Sequence, residues 1–351
     1  PSVPAPDCVN AAIKELLDTQ SPLALHGYTS AQGDAGVRKA IAEYLNGKHG
    51  TVFSADNIYM TVGAAASLTI CLNALVCAGD EVIAFAPFFP EYRVFAEGAG
   101  ASFKALPPTE DFQIDTKRLE NEISTATKAI IINSPNNPSG VVLTEDTIKG
   151  ICAVLKAKSA QYGHPIYLIT DEPYRELVYD NVFVPFVSNY YDNTLVCYSF
   201  SKSLSIPGER IGYIAVTPAM EGATDVYAAV CGAGRALGYV CAPSIFQRVA
   251  ARCLGETADV SVYKHNRDLI YNALTEYGYT CVKPDGAFYL FVKALEEDAN
   301  AFCEKAKGKE LLLVPADSFG CPGYVRISYC VSTKQIENSL PAFKALAEEY
   351  K

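Results

Sequence analysis

Between residues 33 and 216, short apolar runs alternate with stretches whose apolar residues recur at every third or fourth position. The runs predict strands at 57–62, 81–85, 129–133, 165–170, 194–198 and 211–216. The longer periodic stretches predict helices at 30–45, with Val37, Ile41 and Leu45 on one face, and at 65–76, 91–99 and 145–160. A run such as Ala129-Ile-Ile-Ile-Asn133 has no polar face, which implies burial on both sides. Strands alternating with helices imply an α/β fold with a mostly parallel sheet covered by helices on both faces. After about Gly255 the pattern changes: a long helix at 260–277, a strand at 286–292, another helix, a strand at 324–329 and a closing helix. This predicts a large domain over 27–255 and a smaller α+β domain from 1–26 and 256–351, with the helical segment 6–18 packing in the smaller unit.

Ligands of open parallel sheets bind outside the carboxyl ends of the strands, and the chemistry-bearing motifs fall there. After the strand at 194–198 comes Tyr198-Ser-Phe-Ser-Lys-Ser-Leu-Ser-Ile-Pro-Gly-Glu-Arg-Ile-Gly212. The Lys202 amine can form a Schiff base with an aldehyde, while Ser199 and Arg210 grip a phosphate of the same molecule. Pyridoxal phosphate is the common metabolite that carries both groups. Asp171, in Asp171-Glu-Pro-Tyr174, can cap a helix or keep a pyridine nitrogen protonated, and the presence of Lys202 favours the second task. Tyr174 and Asn137, the latter in Asn133-Ser-Pro-Asn-Asn-Pro-Ser-Gly140, are candidate donors to the ring's phenolic oxygen. Gly63, Ala64 and Ala65 join a strand to a helix N-terminus, where small residues let backbone amides approach a phosphate. Phe89 or Phe88 can stack on the ring. Arg326 is a lone cation in an apolar strand and requires an anion, for which an α-carboxylate suits its bidentate fork.

Composition narrows the alternatives. The 351 residues are half hydrophobic and 19% charged, enough for a large core. Twenty-nine basic against 39 acidic residues, a net charge of -10, argue against nucleic acid as the main partner. No apolar run is long enough to span a bilayer. Twelve cysteines without a CxxC pair, beside four histidines, point to buried thiols in a reducing cytoplasm, with neither a metal site nor a disulfide framework.

Together the motifs resemble the fold type I aminotransferases, the class I/II group that includes aspartate aminotransferases, from Tyr28 to Arg326. The resemblance implies that Lys202 holds the cofactor and then moves a proton at the substrate Cα, and that Asn137 and Arg326 contact the substrate. It also implies a homodimer in which Tyr28 reaches the neighbouring subunit's phosphate. Two departures stand out. A glycine contact that the family makes from an earlier segment has no counterpart after Pro1. Ala65 stands where some aspartate-specific relatives place a lysine, and Arg235 is either a cross-subunit cation for a distal carboxylate or a surface residue. The implied reaction is ping-pong transfer of an amino group from an L-amino acid, with aspartate and glutamate as candidates, to a 2-oxo acid. Aromatic donors remain open in a pocket containing Tyr92, Phe88 and Tyr239. A C–S β-lyase on the same fold would share these residues, and a non-catalytic effector-sensing domain is the third alternative.

Overall fold

The computed structural model describes residues 2–351, and Pro1 lies outside them. Seven strands form the larger sheet: β1 (Ile58–Thr61), β2 (Glu81–Phe85), β3 (Ser102–Leu106), β4 (Thr127–Asn133), β5 (Tyr167–Asp171), β6 (Thr194–Ser199) and β7 (Gly212–Val216). Their order is β1-β7-β6-β5-β4-β2-β3. From β3 to β6 all neighbours are parallel, and only β7 runs against the rest. The expected mostly parallel, helix-covered sheet is therefore observed. Because β7 is reversed, its first residues start at the same edge where the other strands end.

Apart from the half-buried Lys128 of β4, the central strands are buried along their length, as two-sided coverage by helices requires. On one face the helix Ala64–Leu75 buries Leu68, Cys71 and Leu72, while Ile151, Cys152 and Leu155 of the helix Glu145–Tyr162 close part of the other. A three-stranded antiparallel sheet, β8 (Tyr289–Lys293), β10 (Tyr324–Ser328) and β9 (Val314–Pro315) in that order, forms the smaller unit with the helices Val260–Tyr277 and Thr333–Glu348.

Three expectations are corrected. The helix Asp7–Thr19 does not pack with the smaller unit. Its apolar stripe of Val9, Ala12 and Leu16 packs with Ile41 and Leu45 of the helix Ala35–His49 and with Val249 of the helix Ser244–Arg252. Ahead of it, Ser2 and Val3 reach the smaller unit, where their amides donate to the Tyr263 hydroxyl. The helix predicted from residue 30 begins at Ala35, because the Asp34 carboxylate accepts from the Gly36 and Val37 amides and caps it there. The edge strand β3 was not expected: its Ser102-Phe-Lys-Ala-Leu106 sequence is largely half-exposed and lacks the uniform apolar signature of the interior strands.

Gly212 opens β7 where three backbones meet. A Cβ there would lie 2.3 Å from the Tyr198 carbonyl oxygen and 3.2 Å from the Gly63 Cα. Since the obstacle is backbone, Gly212→Ala should force β6 and β7 apart. Urea unfolding is expected to show a loss of about 1–3 kcal/mol, and an unchanged midpoint would contradict this packing.

Candidate functional site

The register of the sheet assembles the site. Asn133, the last residue of β4, pairs with Asp171, the last of β5, which pairs with Cys197 of β6. The Asn133 side chain locks this edge: its amide donates to the Asp171 carbonyl at 2.7 Å and its oxygen accepts from the Asn137 amide at 2.7 Å. Asn136 turns inward to hold the Ser139 amide and hydroxyl and the Pro87 carbonyl. Of these turn asparagines, Asn137 is the one that lines the large cavity at the strand ends.

That cavity has a volume of about 370 Å³. Lys202, Asp171, Tyr174, Asn137, Ser199, Arg210, Arg326, Phe89, Ala64 and Ala65 all line it. Residues spread over more than 260 positions of sequence thus converge. Gly63 stands immediately behind. Its φ of 96° is in the left-handed region, and a Cβ would lie 2.8 Å from an Arg210 guanidinium nitrogen. The Gly63 carbonyl accepts from the Ser67 amide, opening the helix Ala64–Leu75 with its N-terminus beside the cavity. Arg210, just before the reversed β7, adopts φ 50° and ψ 62°, and its Nη1 donates to the Pro207 carbonyl at 2.8 Å. Ser199 caps the short helix that carries Lys202, its hydroxyl accepting from the Ser201 amide.

The electrostatics is uneven. Asp171 is 5% exposed, and burial pushes its carboxyl up to about 7. Tyr92 opposes this by donating to Oδ2 at 2.6 Å, whereas Oδ1 is buried without a partner among the described residues. Burial holds the Lys202 amine below the ordinary lysine range, which favours the neutral, nucleophilic form. Its Nζ lies 5.2 Å from the centroid of Phe288 and 5.9 Å from that of Tyr174. Arg326 is sandwiched between the rings of Tyr289, at 4.6 Å, and Phe319, at 5.0 Å. Its Nη1 donates to the Asn137 side-chain oxygen at 3.0 Å, and its buried Nε has no partner among the described residues.

Other expected residues lie elsewhere. Tyr28 is 99% exposed and does not line the cavity, and Arg235 is exposed on the helix Ala223–Ala236. Phe88, Tyr92 and Tyr239 do not form a substrate pocket. Phe88 and Tyr92 are core residues, because the helix starting at Glu91 turns Tyr92 under the sheet edge while Phe89 faces the cavity. Tyr239 packs against that core. Tyr289 was missed: it lines the cavity and its hydroxyl lies 3.2 Å from that of Tyr174. The only sequence signal was its place in the middle of the predicted strand at 286–292.

Comparison with known proteins follows this geometry. The profile of the family described as aminotransferase class I and II matches residues 2–343. A probable aspartate aminotransferase of Methanocaldococcus jannaschii is 30% identical over 97% of this chain and 94% of the relative. Among solved structures, an amino transferase from Eubacterium rectale is 60% identical, with a TM-score of 0.98 over 100% of this chain and 89% of that one. The aspartate aminotransferase of Thermotoga maritima superposes with a TM-score of 0.87 at 29% identity, covering 98% and 89%.

The raised carboxyl of Asp171 has a measurable consequence. In the unfolded chain it ionises near pH 4, so between there and about 7 the cofactor-free native state binds the extra proton. The contribution of Asp171 to folding therefore declines as pH rises through that window, by about 4 kcal/mol in all, and is level above it. The unfolding free energy of wild type minus that of Asp171→Asn should fall between pH 4 and 7 in urea titrations. A flat difference would contradict the buried carboxyl.

Proposed function

The chain belongs to the class I and II aminotransferases, a family that uses pyridoxal phosphate, and from that premise we propose which of its residues carry the transfer. The cavity suits that cofactor on three counts. A buried carboxylate oxygen of Asp171 lacks a donor among the described residues. Arg210 packs against a glycine that leaves room for nothing larger. A helix N-terminus and a depressed lysine face the same space. The ligand these groups call for carries a phosphate, a protonated ring nitrogen and an aldehyde.

Bound there, pyridoxal phosphate supplies an aldehyde that exchanges amines and a ring that accepts the electrons left at Cα. Ser199, Arg210 and the Ala64 and Ala65 amides would hold the phosphate. Asp171, through its Oδ1, would keep the ring nitrogen protonated. Asn137, whose oxygen is engaged by Arg326, has its amide free to donate to the phenolic oxygen, and Tyr174 donates beside it. Phe89 covers a ring face. Arg326 takes the α-carboxylate of the substrate with its free Nε and guanidinium edge. Lys202, as a neutral amine, would take the proton from the substrate Cα and hold it for its return during the transfer. The amino group of an L-amino acid thus passes to a 2-oxo acid in two half-reactions.

Aspartate and glutamate are the donors we propose, a reading supported by relatives named for aspartate. Among the described residues the cavity's cations are Lys202, Arg210 and Arg326, each with a task. A distal carboxylate therefore needs a cation from a partner subunit, which we assign to Arg235. The same homodimer brings the partner subunit's Tyr28 to the phosphate, consistent with the full exposure of this tyrosine on its own protomer. Residues 27–255 form the cofactor-binding unit and 256–351 the smaller one in this reading. No helix among the described residues is long and apolar enough to cross a membrane. A cytoplasmic setting is supported by buried free thiols such as Cys71 and Cys197.

The observation that carries the proposal is the convergence of Lys202, the unpartnered Asp171 Oδ1 and the unpartnered Arg326 Nε on one cavity. Purified protein should bind pyridoxal phosphate with visible absorbance that bleaches on adding aspartate or glutamate and recovers with 2-oxoglutarate. Lys202→Ala should lose turnover. Arg326→Ala should keep the absorbance while its KM for the amino acid rises roughly 10- to 100-fold. Absorbance that no amino acid bleaches would sink the assignment.

The shared site can be checked by hybrids. Lys202→Ala and Tyr28→Ala are each expected to be weak or inactive alone. Mixed after dissociation, they should regain activity, since the hybrid holds one site with Lys202 and the partner subunit's Tyr28 both intact. Activity no higher than the sum of the parents would exclude a shared site.

A further inference from the structure

We propose that Tyr92 is a positioning residue for the reaction: its hydroxyl fixes which oxygen of Asp171 faces the ring nitrogen, and its ring braces the aromatic that covers the ring. This rests on the assignment of Asp171 above and extends it to a residue that touches neither cofactor nor substrate. Tyr92 sits in the first turn of the helix Glu91–Gly98 and is 1% exposed. Its hydroxyl donates to Asp171 Oδ2 at 2.6 Å. Oδ1 has no partner among the described residues. A planar carboxylate with one oxygen pinned from beneath has its other oxygen directed by that contact. The backbone of Asp171 is fixed separately, through its carbonyl and Asn133. Tyr92 therefore sets the side-chain rotation that sheet pairing leaves free.

The second contact is aromatic. The Phe89 and Tyr92 rings meet edge to face, with centroids 5.7 Å apart and planes at 78°. Phe89 lines the cavity and Tyr92 does not. One side chain thus supports two of the groups assigned to the ring, one at its nitrogen and one at its face.

The surroundings keep Tyr92 in the donor form. Burial and the Asp171 charge push its phenol well above the ordinary tyrosine range. The other titratable groups that face this pair are Tyr174, beyond the end of β5, and Cys197 of β6. Burial raises both far above neutrality, so neither competes as an anion. Lys202, Arg210 and Arg326 face Asp171 across the cavity. The Tyr92 proton is consequently the one short-range contact in the described residues that favours ionised Asp171 from beneath.

The test is Tyr92→Phe, which removes the hydroxyl while keeping the ring and its contact with Phe89, measured beside Asp171→Asn. Circular dichroism should show a folded protein. The dissociation constant for pyridoxal phosphate, from equilibrium dialysis, should rise about 10-fold or more, the loss expected for a hydrogen bond to a charged group. The acid limb of cofactor binding should move to higher pH, because Asp171 loses the donor that favours its ionised form. In turnover, kcat should fall while KM for the amino acid stays near wild type, since Arg326 is untouched. A purely structural tyrosine would leave the pH limb in place. Wild-type cofactor affinity and an unmoved limb in Tyr92→Phe, with both lost in Asp171→Asn, would overturn this inference and spare the role of Asp171. If Asp171→Asn also binds like wild type, the assignment of Asp171 fails instead.

Discussion

The site depends on the pairing of β4, β5 and β6. Three parallel strands in one register bring Asn133, Asp171 and Cys197 abreast, with Ser199 just beyond. Apart from Arg326 and Tyr289 of the smaller sheet, the groups that line the cavity hang from those strand ends or from β1, β2 and β7 beside them. Lys128 apart, the strands are buried throughout, so the hydrophobic driving force that forms the core also places the polar groups. No polar side chain needs to find its position by its own interactions alone.

Burial then sets the chemistry. Asp171 and Lys202 are both taken out of water, which shifts each toward its neutral form. For the lysine that is the reactive form. For the aspartate it is the form least able to hold a proton on a ring nitrogen, and the Tyr92 hydroxyl beneath it acts in the opposite direction. Arg210 and Arg326, facing a single carboxylate that is itself shifted toward neutrality, leave the cavity in need of negative charge. A phosphate and a substrate carboxylate meet that need, and without them Arg326 would keep a buried N–H unsatisfied.

Much of this was legible in the chain. Lys202, Ser199 and Arg210 lie within one short segment, and a lone arginine in an apolar strand announces an anion. The mostly parallel sheet followed from uniform apolar runs such as 129–132. What was not legible depended on approach in space. The amphipathic stripe of the helix Asp7–Thr19 says that one face is buried but not against what, and it packs on the larger unit. Tyr92 and Phe89, three residues apart, look alike as aromatics; the helix starting at Glu91 carries Tyr92 into the core, while Phe89, ahead of that helix, lines the cavity. Tyr289 sits on a strand of the smaller sheet, and only the closing of that sheet over the larger one brings it to Tyr174.

The reversed strand β7 carries a consequence for how the molecule assembles. Each parallel neighbour in the sheet needs a crossover before it can pair, whereas β6 and β7 are antiparallel and joined by the segment from Phe200 to Ile211. Local pairings of this kind close small loops and form without waiting for distant ones. That segment holds Lys202 and Arg210, the two residues at opposite ends of the proposed ligand. The most reactive part of the molecule is therefore also its most locally encoded: its spacing is set within a single hairpin, and the crossovers that follow supply the walls around it.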